Sequence, residues 1–231
     1  MSVPRWLYLH GFASSPESAK AQLFAGAFRT RKVELKRLDM RQPSMEALSF
    51  SAMTEHVREQ IGTERDRVVL IGSSLGGLCA ARVAEQDPRV CALFLLAPAF
   101  RLVPRWRARL GEAAWSEWQK TGSLEVDDYA HGGKVRVPYE FAAELSRMDA
   151  ADGGYPDVRV PTCIVHGVRD DVVDTEAVTR FAAGKPHVEL HLVDDGHDLL
   201  KTQHLVMAHF ERFARPFFVG QPQALRQTLQ G

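Results

Sequence analysis

An α/β chain with a mostly parallel sheet of at least six strands, helices on both faces and one small insertion is the architecture this sequence predicts. Six short apolar runs, at residues 6–9, 33–38, 67–71, 90–96, 162–166 and 188–193, alternate with helical stretches. That alternation is the signature of a parallel sheet joined by crossover helices. Every spacing leaves room for a right-handed crossover. The interval between the fourth and fifth runs, about sixty residues, exceeds what one crossover helix needs and marks the insertion.

Taken in order, residues 6–9 (Trp-Leu-Tyr-Leu) begin the sheet, and a helix is expected over 17–28. The second strand, 33–38, is followed by a helix over 44–61 opened by Ser44. The third strand, 67–71, runs into a small-residue helix over 76–85, and the apolar run 90–100 supplies the fourth strand. That run holds Pro98 and is about half a membrane span, so it reads as core. The fifth and sixth strands are followed by helices over 175–183 and 199–214.

Within the insertion, 105–120 is amphipathic and carries Trp106, Trp115 and Trp118. Residues 124–137 read as a hairpin turning at His131-Gly132-Gly133-Lys134, and 139–148 as a helix. The expected organisation is a core formed by 1–100 and 150–215, a cap over 101–149, and a tail over 216–231 that is either loosely ordered or a minor packing helix. The cap tryptophans either pack it down or line a substrate pocket.

Composition restricts the function classes. The chain has 231 residues, 45% of them apolar, and 29 basic side chains match 29 acidic ones. A neutral balance gives no nucleic-acid footprint and no polybasic membrane patch. A strand-like segment begins by Arg5, so no signal peptide is expected. Three cysteines, Cys79, Cys91 and Cys163, sit in apolar contexts, and an odd count argues against a disulfide framework. A cytoplasmic enzyme is the expectation. No H-E-x-x-H, Cys-x-x-Cys or phosphate-loop pattern occurs, so neither metal nor cofactor is expected.

Gly72-Ser73-Ser74-Leu75-Gly76 directly follows the third strand and opens a helix, the setting a G-x-S-x-G nucleophile elbow requires. An ordinary Gly-rich turn with a surface serine is the alternative. A serine hydroxyl needs a base, and the base needs an orienting carboxylate. Asp170 and Asp171 follow the fifth strand, and Gly196-His197 follows the sixth. His197 is the base candidate, with His187, His191, His204 and His209 worse placed. Asp170, the fourth residue after His166, is preferred over Asp171, whose alternative use is to cap the next segment. Asp194, Asp195 and Asp198 are expected to be solvated. The oxyanion hole is assigned to the N–H groups of Leu75 and Phe12. Gly11 lets the backbone of that loop come close, and His10 braces it.

With these residues placed, the chain resembles the serine α/β-hydrolases. The run from Leu7 to Lys20 (LYLHGFASSPESAK), with Gly72-Ser73-Ser74-Leu75-Gly76-Gly77, is similar to the bacterial YqiA-type esterases. The stretch 126–144, with Tyr129 and Tyr139, is longer than that resemblance implies and looks closer to hydrolases of acyl thioesters and acyl glucuronides. The resemblance implies an α/β-hydrolase fold and cleavage of carboxylic esters with small-to-medium acyl or aryl groups. A small-molecule ester or thioester is the expected partner, with no nucleic acid and no integral membrane association. A thioesterase acting on acyl-CoA or acyl-protein, and a non-catalytic binding scaffold, are the alternatives.

Overall fold

The computed structural model describes residues 3–218. In chain order its first elements are β1 (Arg5–Leu9), α1 (Ala19–Thr30), β2 (Lys36–Leu38), α2 (Phe50–Ile61), β3 (Val68–Ser73), α3 (Leu75–Gln86) and β4 (Val90–Leu96). Then come α4 (Leu102–Leu110), α5 (Glu112–Thr121), β5 (Ser123–Asp127), β6 (Lys134–Pro138) and α6 (Tyr139–Asp152). The chain continues through β7 (Thr162–Gly167), α7 (Thr175–Ala182), β8 (Val188–Val193) and α8 (Gln203–Phe218).

Six strands form one sheet in the order β2-β1-β3-β4-β7-β8, with every neighbouring pair parallel. Its central strands are buried on both faces, which is why they read as continuous apolar runs. Alternate residues then feed two layers. Trp6, Tyr8, Ile71 and Phe94 point to the side where Phe24 and Phe28 of α1 and Phe210 of α8 build an aromatic layer. Leu7, Leu9, Leu70, Leu95 and Ile164 point to the other side, against α2, α3 and α7.

The second core does not stop at the sheet. It runs on through Trp115, Trp118, Val137, Phe141 and Leu145 of the segment between β4 and β7. Trp118 donates its indole N–H to the Val137 carbonyl at 3.1 Å, tying α5 to the antiparallel β5–β6 hairpin. Glu144 of α6 accepts from the N–H groups of Phe50 (2.8 Å) and Ser51 (2.7 Å). A carboxylate there satisfies donors that the first turn of α2 would otherwise leave open.

Several boundaries differ from the sequence expectation. Pairing in the second strand covers only Lys36–Leu38, because Val33 and Leu35 pack half-buried against the aromatic layer before pairing begins. The helix expected over 44–61 starts at Phe50: Ser44 accepts from the Ala47 N–H in a separate turn, and Ser49 is the cap, accepting from Ala52. The amphipathic stretch 105–120 falls in two helices broken at Gly111, whose φ of 78° lies in the left-handed region that glycine tolerates. The last helix begins at Gln203, not Leu199, because Leu199 itself takes a φ of 56°. It continues through Pro216 to Phe218, so the first residues of the expected tail belong to this helix rather than to a separate one. Residues 219–231 of that tail lie outside the described residues.

Candidate active site

Ser74 stands at the turn between β3 and α3 with φ 53° and ψ −117°. A non-glycine residue held there is strained and persists only if its surroundings enforce it. They do. The Ser74 N–H donates to the Leu96 carbonyl at 2.9 Å, and its carbonyl accepts from Gly77 (2.9 Å), Leu78 (3.1 Å) and Ala99 (3.0 Å). A Cβ on Gly72 would strike the Gly76 backbone, and one on Gly76 would strike the Leu9 and His10 carbonyls. The small residues of the pentapeptide are therefore required by backbone approach.

The loops after β7 and β8 bring two further residues to this serine. His197 Nε2 lies 3.0 Å from Ser74 Oγ, and its Nδ1 lies 2.8 Å from Asp170 Oδ2. The neutral tautomer that fits both contacts donates Nδ1–H to the carboxylate and accepts the serine hydroxyl at Nε2. Asp170 has a fully buried side chain, and its Oδ1 accepts from the N–H groups of Val172 and Val173, both at 2.8 Å. Burial pushes its carboxyl up, but the His197 contact and those N–H groups outweigh burial and hold it below the usual carboxylate range. Asp171 is exposed and contacts neither residue in this chain of hydrogen bonds.

Two side chains that sequence reasoning passed over shape this constellation. His166 is fully buried beneath Asp170, its Nε2 3.6 Å from Oδ2, and burial pushes its imidazole down, leaving it neutral. Asp195, expected to be solvated, is only 1% exposed. It accepts from Gly196 N–H (2.7 Å), Thr202 N–H (2.8 Å) and the Thr202 hydroxyl (2.9 Å), folding the loop that carries His197. A run of acidic residues in a loop reads as solvated, so only the tertiary contact distinguishes Asp195. Asp194 and Asp198 are exposed.

The loop after β1 closes the other side. A Cβ on Gly11 would lie 3.2 Å from Ser74 Cβ, so the loop passes as close as side chains allow. His10, 1% exposed, contacts the Gly11 carbonyl through Nδ1 (2.8 Å) and accepts the Met40 N–H at Nε2 (2.9 Å), joining the loop to the segment after β2. No hydrogen bond engages the N–H of Phe12 or Leu75 among the described residues. Both residues line the cavity above Ser74.

That cavity, about 580 Å³, has Ser74 and His197 in its floor. Its walls include Trp106, Leu124, Val126 and Val137 from α4 and the hairpin. The Trp106 ring meets Phe12 edge to face, centroids 5.0 Å apart. Buried Trp118 packs against it and also lines the cavity, with Trp115 packed behind Trp118.

Residues 5–213 match the model of a family described as uncharacterised protein family UPF0227. The chain belongs to UPF0227. This is the family of the YqiA-type proteins that its first motif resembles. The UPF0227 chain matches no curated protein in sequence. Among solved structures it is similar to alpha/beta hydrolase domain-containing protein 10 from mouse, at 20% identity and a TM-score of 0.75 over 93% of this chain and 91% of that one. Est1E from Butyrivibrio proteoclasticus with ferulic acid bound gives 20% identity and a TM-score of 0.70, covering 92% and 88%. A monoacylglycerol lipase from Paleococcus ferrophilus gives 15% and 0.73, covering 93% and 96%. The fold of this UPF0227 chain is thus the α/β-hydrolase fold.

One group of described residues could offer three metal ligands, Cys163, Glu189 and His191, with ligand atoms within 4.8 Å of one another. Arg212 already donates to Glu189 (2.7 Å) and contacts His191 (2.9 Å), and burial pushes the Cys163 thiol up to about 12. A cation would have to displace a guanidinium and deprotonate that thiol, so the set does not fit a resident metal. No helix among the described residues is long and apolar enough to cross a membrane.

Proposed function

We propose that this chain is a serine hydrolase that cleaves carboxylic esters of small-to-medium acyl or aryl substrates through an acyl-enzyme. The observation that carries this reading is the unbroken hydrogen-bonded series Ser74–His197–Asp170 in the floor of the 580 Å³ cavity. His197 Nε2 takes the Ser74 proton as Oγ attacks the acyl carbonyl. Phe12 and Leu75 N–H groups receive the oxyanion, and Asp170 steadies the imidazolium. Collapse breaks the bond to the leaving alcohol, which takes the proton from His197. Water then repeats both steps on the acyl-Ser74 and releases the acid.

A cavity of this size suits a small molecule. Est1E holds ferulic acid, an aromatic carboxylic acid, on the same fold, which supports an aryl group against the Trp106 wall. All three cysteines are free, which agrees with a reducing, cytoplasmic setting.

The test is labelling with a fluorophosphonate probe, alongside a panel of matched oxygen and thio esters of graded acyl length. We expect labelling at Ser74, turnover of short-to-medium and aryl esters, and loss of both in Ser74→Ala. Absence of labelling in the folded wild type would leave a binding scaffold. Faster turnover of every thio ester than its oxygen counterpart would make the chain a thioesterase.

A further inference from the structure

The motif that runs from β1 into α1 holds two side chains that the proposed reaction does not use, Tyr8 and Lys20, and both border the Ser74 cavity. Tyr8 is fully buried, yet its hydroxyl, beside the Ser18 and Ser73 side chains, has no hydrogen-bond partner. A native fold leaves few buried polar groups unpaired, and each one asks for a reason. Burial pushes this phenol up, so the hydroxyl keeps its proton and remains a donor.

Lys20 is the second residue of α1, half-buried, in a first turn that holds no acidic side chain. The ammonium and the positive end of the helix dipole thus share one place, an arrangement that local rules disfavour and that an anion would relieve. Its one hydrogen bond goes to the His197 main-chain carbonyl at 3.3 Å, which leaves two of its three donors open. Asp198, Asp170 and Asp195 are near enough to favour its charge, but none forms an ion pair with it among the described residues. Those carboxylates have donors of their own: His197, Val172 and Val173 for Asp170, Gly196 and Thr202 for Asp195, and the Leu200 N–H at 3.2 Å for Asp198.

We propose that Lys20 and the Tyr8 hydroxyl, at the N-terminus of α1, form a subsite for a carboxylate carried by the substrate. The inference rests on the hydrolase reading and narrows it: the preferred esters keep a free carboxylic acid besides the bond that is cleaved. A carboxylate accepts only, and its two oxygens can take one donor each from the ammonium and the phenol. In direct contact with Lys20, it gains more than it loses to acids that do not touch the ammonium. A doubly charged phosphate would meet about twice that repulsion, so a singly charged group fits better. Arg109 also lines the cavity and forms no ion pair among the described residues, but its side chain is exposed and water screens it.

The test compares esters that differ only in charge. Monophenyl glutarate is set against its terminal amide, with the acid on the acyl side, and meta-acetoxybenzoate against meta-acetoxybenzamide, with the acid on the leaving side. The readout is the acid-to-amide ratio of kcat/KM. We expect Lys20→Gln to lower that ratio about tenfold in at least one pair, and Tyr8→Phe to lower it about threefold in the same pair. Arg109→Gln changes it less. Burial pushes the Lys20 ammonium down to about 8, so in wild type the ratio falls as pH rises through that value. Both esters of a pair share the Ser74–His197 chemistry, so the ratio cancels its titration. This wild-type profile needs no variant to fold.

Ratios unchanged in folded Lys20→Gln for both pairs, or a preference that Arg109→Gln abolishes instead, would overturn the subsite. If Lys20→Gln does not fold, a flat wild-type ratio through about pH 8 does the same. Ester turnover with unchanged ratios sinks the subsite and leaves the hydrolase reading intact. For a chain that turns over no ester, isothermal titration with phenylacetate and phenylacetamide takes the place of kinetics. Phenylacetate binding that weakens about tenfold in Lys20→Gln keeps the subsite while the hydrolase reading falls. Equal binding of the two probes, or none, rejects it.

Discussion

Arg41 grips Asp128 with two parallel hydrogen bonds, 2.9 and 2.8 Å, joining the segment after β2 to the tip of the β5–β6 hairpin. Asp128 also accepts from the N–H of Ala130 at 3.0 Å, so one carboxylate both shapes the turn and fastens it. The Arg41 guanidinium holds that carboxyl well below the usual carboxylate range. Its folded-state pKa is depressed, so its contribution is present above the ordinary carboxylate range and is lost only as pH falls below it. We expect Asp128→Asn to lower the melting temperature by about 3 °C, equally across the neutral range, in thermal scans. A penalty that fades between mildly acidic and neutral pH would contradict this.

If the proposed reaction holds, Ser74→Ala and Asp170→Asn should each reduce kcat/KM for an aryl ester by about 10³-fold or more. Asp171→Asn, on an exposed side chain, should stay within about twofold of wild type. Steady-state kinetics on the three purified variants separate the two aspartates. A crippled Asp171→Asn would move the acid by one position.

Burial pushes Asp149 up to about 6, and its Oδ2 is buried without a partner. A carboxylate with a raised folded-state pKa contributes stability that is full below its unfolded value and is lost as pH climbs through the folded one. Asp149→Asn stays uncharged throughout. It should therefore melt about 3 °C higher than wild type near pH 7.5 and gain nothing near pH 4. A gain of the same size at both pH values would show that charge is not the cause.

The three tryptophans of α4 and α5 should divide by role. Trp115 is buried away from the cavity, and its truncation to Ala should cost about 3 kcal/mol of unfolding free energy without changing relative rates, whereas buried Trp118 also lines the cavity and its truncation should change both. Half-buried Trp106 faces Phe12 in the cavity, so Trp106→Ala should change relative rates across the ester panel by about tenfold. Chemical denaturation and the same kinetic panel read both effects. Unchanged relative rates in Trp106→Ala would make the wall merely structural.

Much of this architecture was legible in the sequence because it follows periodicity. β1, β3, β4 and β7 are buried on both faces, so each prints an apolar run bounded by turn residues. Ser74, Asp170 and His197 were legible as a pattern of loop positions after successive strands, and the structure brings those three together. Other features depend on partners far along the chain. Gly111 splits the amphipathic stretch 105–120 into two helices, since amphipathic periodicity can continue across a break. Asp195, His166 and Lys20 look like ordinary polar residues until burial and their neighbours are known. Lys20 meets a carbonyl 177 positions away, and no local pattern encodes such a contact.

The core that passes without interruption from the sheet into α5, the hairpin and α6 bears on how a substrate arrives. Swinging that roof aside would expose Trp118, Val137 and Phe141 to water together, at a cost comparable with melting much of the body. Tyr129, 76% exposed at the hairpin tip, borders the cavity, so the lining already meets solvent there without such a movement. Admission becomes a matter of girth and diffusion rather than of hinge motion. The space beside Tyr129, more than any closing movement, would then limit the molecule that the proposed reaction admits to Ser74.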